Sequence, residues 1–156
     1  MSELITKKGF EQLKEDVRNV EEEILDVQRE MGESVKRDND LRENSEYMDL
    51  RVKAMYSLPA KKEELLNRLK SCIIIEDTAQ YQSFDGKKVI VGSKVTYEFD
   101  GEEETLSIVG DREGNIDEGL ISCKARFAKA LISKHIGEKF KFNDSTIVVK
   151  EIKRIE

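Results

Sequence analysis

A chain of 156 residues with 38% apolar and 38% charged side chains can bury one modest core. Its charge density, however, exceeds the roughly one quarter usual for globular domains, so part of it is expected to be elongated or unusually solvated. One histidine (His135) and two distant cysteines (Cys72 and Cys123) exclude a four-ligand zinc site or a disulfide scaffold within one chain and point to a reducing cytoplasm. A formal net charge of −6 argues against a general duplex-DNA binder, which draws on a basic surface. No run reads as a signal peptide or approaches the roughly twenty apolar residues of a membrane span, so a soluble protein with no membrane partner is expected.

Taken in chain order, the first element is a long helix. From Phe10 the apolar residues recur as Leu13, Val17, Val20, Ile24, Val27, Met31 and Val35, at spacings of three and four that define a heptad seam. Thr6 stands where an N-cap belongs, and the spacing predicts a helix over about residues 7 to 37. A second helical pattern passes through Tyr47, Leu50, Ala54, Leu58, Leu65 and Leu69. It lies antiparallel to the first if the chain reverses around residues 38 to 43. At a rise of about 1.5 Å per residue, thirty residues make an arm of about 45 Å, whose tip is expected to project into solvent or a partner. Pro59 removes a backbone donor and predicts a kink or a restarted helix.

After Ile73, Ile74 and Ile75 the periodicity shortens. Lys88–Val91, Lys94–Phe99, Thr105–Val109, Lys139–Phe142 and Thr146–Ile152 read as strands of an antiparallel sheet, with Asp100-Gly101 and Asn143-Asp144 as turns. Arg126 to Lys134 fits a short helix covering one face, and Glu76 to Phe84 forms the joint. The fold class expected is α+β: a helical hairpin over residues 1–78 and a sheet domain over residues 79–156.

Chemistry concentrates at the hairpin reversal. Asp38, Asp40, Glu43 and Glu46 place four carboxylates within nine residues, and hard carboxylate oxygens suit Mg²⁺, which commonly takes only one or two protein carboxylates. Asp40 and Glu43 stand three apart. That spacing serves two readings, a pair holding one ion or its water, and a capping box in which Asp40 accepts from the Glu43 amide.

The run Asp40-Leu41-Arg42-Glu43-Asn44-Ser45-Glu46-Tyr47 resembles the tip of bacterial Gre factors, transcript-cleavage proteins whose N-terminal antiparallel coiled coil ends in this motif. Thr6-Lys7-Lys8-Gly9, Val91-Gly92-Ser93-Lys94-Val95, Ile108-Val109-Gly110-Asp111 and Leu120-Ile121-Ser122 extend the resemblance over almost the whole chain, and Gre-A-type members fit better than Gre-B-type ones. The resemblance implies a C-terminal domain that is FKBP-like without being a working prolyl isomerase. It implies bacterial RNA polymerase as partner, bound at the rim of its secondary channel and entered through that channel. Asp40 and Glu43 would be supplied to the polymerase active site, where they help hold Mg²⁺ and a water against the 3′ end of backtracked RNA. Lys36, Arg42, Asn44, Tyr47 and Arg51 would meet RNA or polymerase, although Lys36, Arg42 and Arg51 also read as a solvated helix face and Tyr47 as the start of the second seam. Ser122 and Arg126 would belong to the docking surface. The factor itself would be a monomer with no resident cofactor and no enzymatic activity of its own. The chain departs from the family pattern at Asn39, Pro59, Ala125-Arg126 and Ser133. Three other classes are a Gre-like channel-binding inhibitor, an isomerase or chaperone module, and a coiled-coil adaptor. The intact tip motif argues against the first, and ten aromatic residues with no tryptophan against the second.

Overall fold

The computed structural model describes residues 2–40 and 43–156. It divides into two compact units, one made of Glu11–Ser71 and the other of the residues up to Phe10 together with Cys72–Glu156. The architecture is α+β, as the sequence predicts.

Helix α1 spans Lys7–Arg37. It starts where it does because Thr6 Oγ1 accepts from the Gly9 amide at 3.0 Å, satisfying one of the donors that a first helical turn leaves unpaired. Within the hairpin unit, Leu13, Val17, Val20 and Val27 are buried along the predicted seam. At its far end the seam closes on Ser34 instead of Val35, which is only half-buried. The returning limb is α2 (Ser45–Val52), a π-helical turn (Lys53–Ser57) and α3 (Leu58–Ser71). The π turn answers the question raised by Pro59. A proline there has no N–H for the Met55 carbonyl and its ring crowds that group. The backbone widens instead, with the Leu58 N–H bonding to the Lys53 carbonyl five residues back, and Pro59 falls in the first turn of α3, where a missing donor costs little. Ala54, Leu58 and Leu65 form the buried side of this limb. Ion pairs Lys53–Glu23 and Lys62–Glu21, both 3.2 Å, bridge the limbs, but exposed pairs of this kind contribute at most about 1 kcal/mol each.

In the other unit, β1 (Leu4–Ile5) pairs parallel with β2 (Ile73–Ile74). A 3₁₀ turn (Ile75–Asp77) and the short helix α4 (Ala79–Gln82) occupy the predicted joint. The main sheet comprises β3 (Ser93–Phe99), β4 (Glu102–Val109), β5 (Leu120–Ser122), β6 (Lys139–Phe142) and β7 (Ser145–Arg154), in the order β5-β4-β3-β7-β6. Both predicted turns form. Asp100 and Gly101 have φ of 51° and 89°, and Asn143 and Asp144 have 49° and 68°, the left-handed pairs that let a two-residue loop follow the twist of its strands.

Two strand expectations need correction. The sheet is not wholly antiparallel, because β5 pairs parallel with β4 at its edge. Lys88–Val91 is not a strand either. Its backbone bonds to the loop that follows α5 (Arg126–Leu131), through Val89 N to Lys134 O at 2.8 Å and Ser133 N to Val89 O at 2.9 Å, and Gly92 at φ 95° then turns the chain. In β7 the buried residues are Ile147, Val149 and Ile152. The spacing of two then three is made possible by a bulge, where the register slips between Thr96 and Tyr97. With Val89, Val95, Tyr97, Ile108, Ala128 and Leu131 they form the core. Phe127 of α5 packs 5.2 Å from the Tyr97 ring and 5.1 Å from that of Phe142, within the range in which tilted aromatic pairs attract.

Candidate functional site

The hairpin turn is organised by one side chain. Asn44 caps α2, its Oδ1 accepting from the Tyr47 amide at 2.9 Å. Its Nδ2 donates to Ser34 Oγ at 2.9 Å, to the Asp38 carbonyl at 3.1 Å and to the Ser34 carbonyl at 3.3 Å. Asn44 is 6% exposed and Ser34 1%, so these groups have no recourse to water and the network must be satisfied internally. Only an amide offers both the acceptor that the helix needs and the donors that the end of α1 needs.

Asp40 therefore does not cap this helix. The cap stands four residues later, and the reading of Asp40 and Glu43 as a capping box for the returning helix is set aside. Instead the Asp40 carbonyl accepts from the Glu43 and Asn44 amides at 3.2 and 3.0 Å, which closes a turn on which Asp40 and Glu43 are both exposed. The other two acids of the cluster have local work. Asp38 Oδ1 accepts from the Asp40 amide at 3.1 Å, and Glu46 pairs with Arg37 at 2.5 Å.

Lys36 and Arg51 are exposed, Arg51 donating to the Met55 sulfur at 3.4 Å, and Tyr47 is half-buried. Arg42 lies outside the described residues. Ser122 and Arg126 belong to the other unit. Ser122 Oγ donates to the Asp111 carbonyl at 2.8 Å and accepts from the Lys124 amide at 3.2 Å, while Arg126 is exposed at the start of α5. Ser122 and Ala125 also line an apolar hollow with Tyr97, Leu106 and Ile121.

Two residues stand out in the structure that the sequence patterns do not single out. Ser34 occupies the heptad position seven after Val27, a regularity that extending the Leu13, Val20, Val27 series would have found. Ile116, 92% exposed beside the hollow, is an isoleucine set in an otherwise polar turn segment, and that incongruity was its signal.

Burial, reinforced by a hydrogen bond to Asp111 Oδ1 at 3.1 Å, pushes the Cys123 thiol up to about 12, and the reactive thiolate is scarce at neutral pH. Among the described residues no three of His, Cys, Asp or Glu come together as a metal-holding group, and no helix is long and apolar enough to cross a membrane.

A family model for the C-terminal region of the transcription elongation factors GreA/GreB matches residues 84–156. The chain is 36% identical over 132 residues to the transcription elongation factor GreA of Bacillus cytotoxicus, covering 83% of this chain and 76% of that one. It is 34% identical over 155 residues to GreA of Staphylococcus carnosus, covering 94% and 91%. Among solved structures it is similar to the GreA factor homolog 1 protein of Thermus thermophilus, at 20% identity and a TM-score of 0.42, covering 98% and 99%. Relatives above 30% identity thus span most of its length, and the chain belongs to the GreA/GreB family of transcription elongation factors.

Proposed function

We propose that this protein binds bacterial RNA polymerase and stimulates the polymerase's own cleavage of backtracked RNA, with the hairpin entering the secondary channel as a coiled coil. The observation that carries the reading is the pair Asp40 and Glu43, both exposed beside a buried Ser34–Asn44 lock. Two carboxylates are too few for a resident metal site and enough to share an ion whose other ligands are polymerase groups, water and RNA phosphate oxygens. Asp40 and Glu43 would help hold such a Mg²⁺, and in two-metal chemistry one ion would supply an activated water and the other would stabilise the leaving oxygen.

The chain's own residues would act by position. Asp40 and Glu43 would supply anionic oxygens beside the RNA 3′ end, while Asn44 and Ser34 would fix the turn that presents them. Lys36, Arg42 and Arg51 would meet RNA phosphates, which position without reading sequence, and Tyr47 would bridge the seam and the tip. The C-terminal unit, FKBP-like in this reading, would dock on the channel rim through the surface that carries Ser122, Arg126 and Ile116. The protein would be a cytoplasmic, monomeric cofactor of polymerase without activity on free RNA, because a carboxylate pair alone lacks the positioning that phosphoryl transfer needs.

The test is to add the protein to stalled, backtracked polymerase complexes and follow the transcript. Shortening of the RNA from its 3′ end, absent when the protein meets free RNA, is the expected result. Inhibition of elongation without shortening would replace this reading with that of a channel-binding inhibitor.

A further inference from the structure

The returning limb of the hairpin unit is apolar on two sides. One is the seam, where Ala54 and Leu58 are buried and Tyr47 and Leu50 half-buried. The other carries Met48, Val52, Met55 and Tyr56, which are 42%, 50%, 53% and 66% exposed. Residues three and four apart are neighbours on a helix surface, so these four make one stripe across α2 and the π turn. Of the eight large apolar side chains exposed among the described residues, the stripe gathers four into nine positions. Single exposed apolar residues are ordinary, whereas a contiguous group marks a binding surface. The stripe is also bounded. Four and seven residues after Tyr56 the limb exposes Ala60 and Glu63 instead.

Packing within the hairpin does not account for these residues. Gln, Lys or Glu would serve an exposed helix face better, and Val52 loses rotamer freedom there. Their place selects the occupant. Met48 to Tyr56 lies four to twelve residues past the Asn44 cap, about 6 to 18 Å along the limb, so a protein that encloses Asp40 and Glu43 in an active site encloses the stripe as well. A second copy of the chain fits less well, because a stable dimer takes about 800 Å² from each partner and four partly exposed side chains fall short of that. RNA fits less well too. Only Tyr56 offers a ring on which a base can stack, and Lys53 is engaged by Glu23 at 3.2 Å. Two unbranched, polarisable thioethers next to Val52 suit an irregular apolar protein surface.

We propose that Met48, Val52, Met55 and Tyr56 form a polymerase-binding surface of the hairpin itself, seated on an apolar protein wall of the channel that admits it. The inference rests on the proposed entry of the hairpin into polymerase. Asp40 and Glu43 act on the reaction, and the stripe contributes affinity by removing apolar surface from water. It acts in addition to the docking surface of the C-terminal unit, and two linked contacts bind more tightly than either alone.

The test compares the full-length native protein with the triple variant Val52→Gln, Met55→Gln, Tyr56→Gln and with Ile136→Gln, an exposed apolar residue of the other unit. Binding to core polymerase is read by the anisotropy of a dye on the protein's N-terminus, cleavage by the rate on backtracked complexes at saturating protein, and stability by the urea midpoint. The triple variant should bind at least about tenfold more weakly, keep its maximal cleavage rate within about twofold and lose no stability, while Ile136→Gln matches the native protein in all three. A benzophenone amino acid replacing Tyr56 should crosslink to a protein subunit of polymerase in the same complexes. Native-strength binding by the triple variant would overturn the proposal. So would crosslinks to RNA alone or to a second copy alone, or weaker binding that tracks a lowered urea midpoint. If the native protein binds and crosslinks yet stimulates no cleavage, the surface stands and the cleavage function falls. If it does not bind polymerase, both fall.

Discussion

Replacing Asn44 by alanine removes the buried side chain that joins the end of α1 to the start of α2, and the cost can be assembled from its bonds. Loss of the Oδ1 cap on the Tyr47 amide costs about 1 kcal/mol, as for other Asn caps. Ser34 Oγ and the Asp38 carbonyl then lose this donor, while the Ser34 carbonyl keeps the Asp38 amide at 3.0 Å. With Ser34 1% exposed, its hydroxyl goes unsatisfied, at about 1–3 kcal/mol. The sum is about 2–4 kcal/mol, read by urea unfolding at 222 nm, where the helical unit dominates. Asn44→Asp separates the two parts. It keeps the cap acceptor but turns the donors into anionic oxygens facing two carbonyls, so it should be no better than alanine. Ser34→Ala removes the stranded hydroxyl, and in its background Asn44→Ala should cost less, by about 1 kcal/mol of coupling. A loss below about 0.5 kcal/mol for Asn44→Ala, or strict additivity with Ser34→Ala, would refute the account of the turn.

Other consequences follow from single positions. Gly32 lies in exposed helix with nothing within 4 Å of a built Cβ, so Gly32→Ala should raise stability by about 1 kcal/mol, seen as a higher urea midpoint. Gly101 sits at φ 89°, and Gly101→Ala should lower the melting temperature through about 1 kcal/mol of left-handed strain. The Cys123 thiol, raised to about 12, should resist alkylation at pH 8 until the protein unfolds. A thiol whose folded value lies above its unfolded one keeps its full contribution below about 8.5 and loses it as pH rises through about 12. Native stability should therefore fall faster across that window than that of Cys123→Ala, by urea midpoints at each pH.

Local signals carried much of this molecule into view. Thr6 and the heptad from Leu13 to Val27 define α1 without help from elsewhere, and Asp100-Gly101 and Asn143-Asp144 each encode their own turn. What stayed hidden depends on partners far away in sequence. A two-residue pairing such as Leu4–Ile5 with Ile73–Ile74 has no periodicity to detect. Lys88–Val91 has a strand's composition, but its backbone partners are loop residues after α5. At the tip, Asp40-x-x-Glu43 has the pattern of a capping box, and Asn44, also a good cap residue, follows directly. The choice falls to Asn44 because the buried end of α1 demands donors, which an ionised aspartate lacks. Ser34 continues the Leu13, Val20, Val27 series, but as a polar side chain in an apolar place it is passed over by a search for apolar residues alone.

The central claim is that Asp40 and Glu43 act as anionic oxygens at the polymerase active site. Asp40→Asn with Glu43→Gln tests it most directly, because the turn is held by Asn44 and the substitutions remove charge without touching that lock. At limiting Mg²⁺, the variant should fold, compete with the native protein for polymerase and lose most stimulation of cleavage, and in each single variant added Mg²⁺ should restore part of it by mass action. A double variant that folds, binds and cleaves at the native rate at limiting Mg²⁺ would contradict the account.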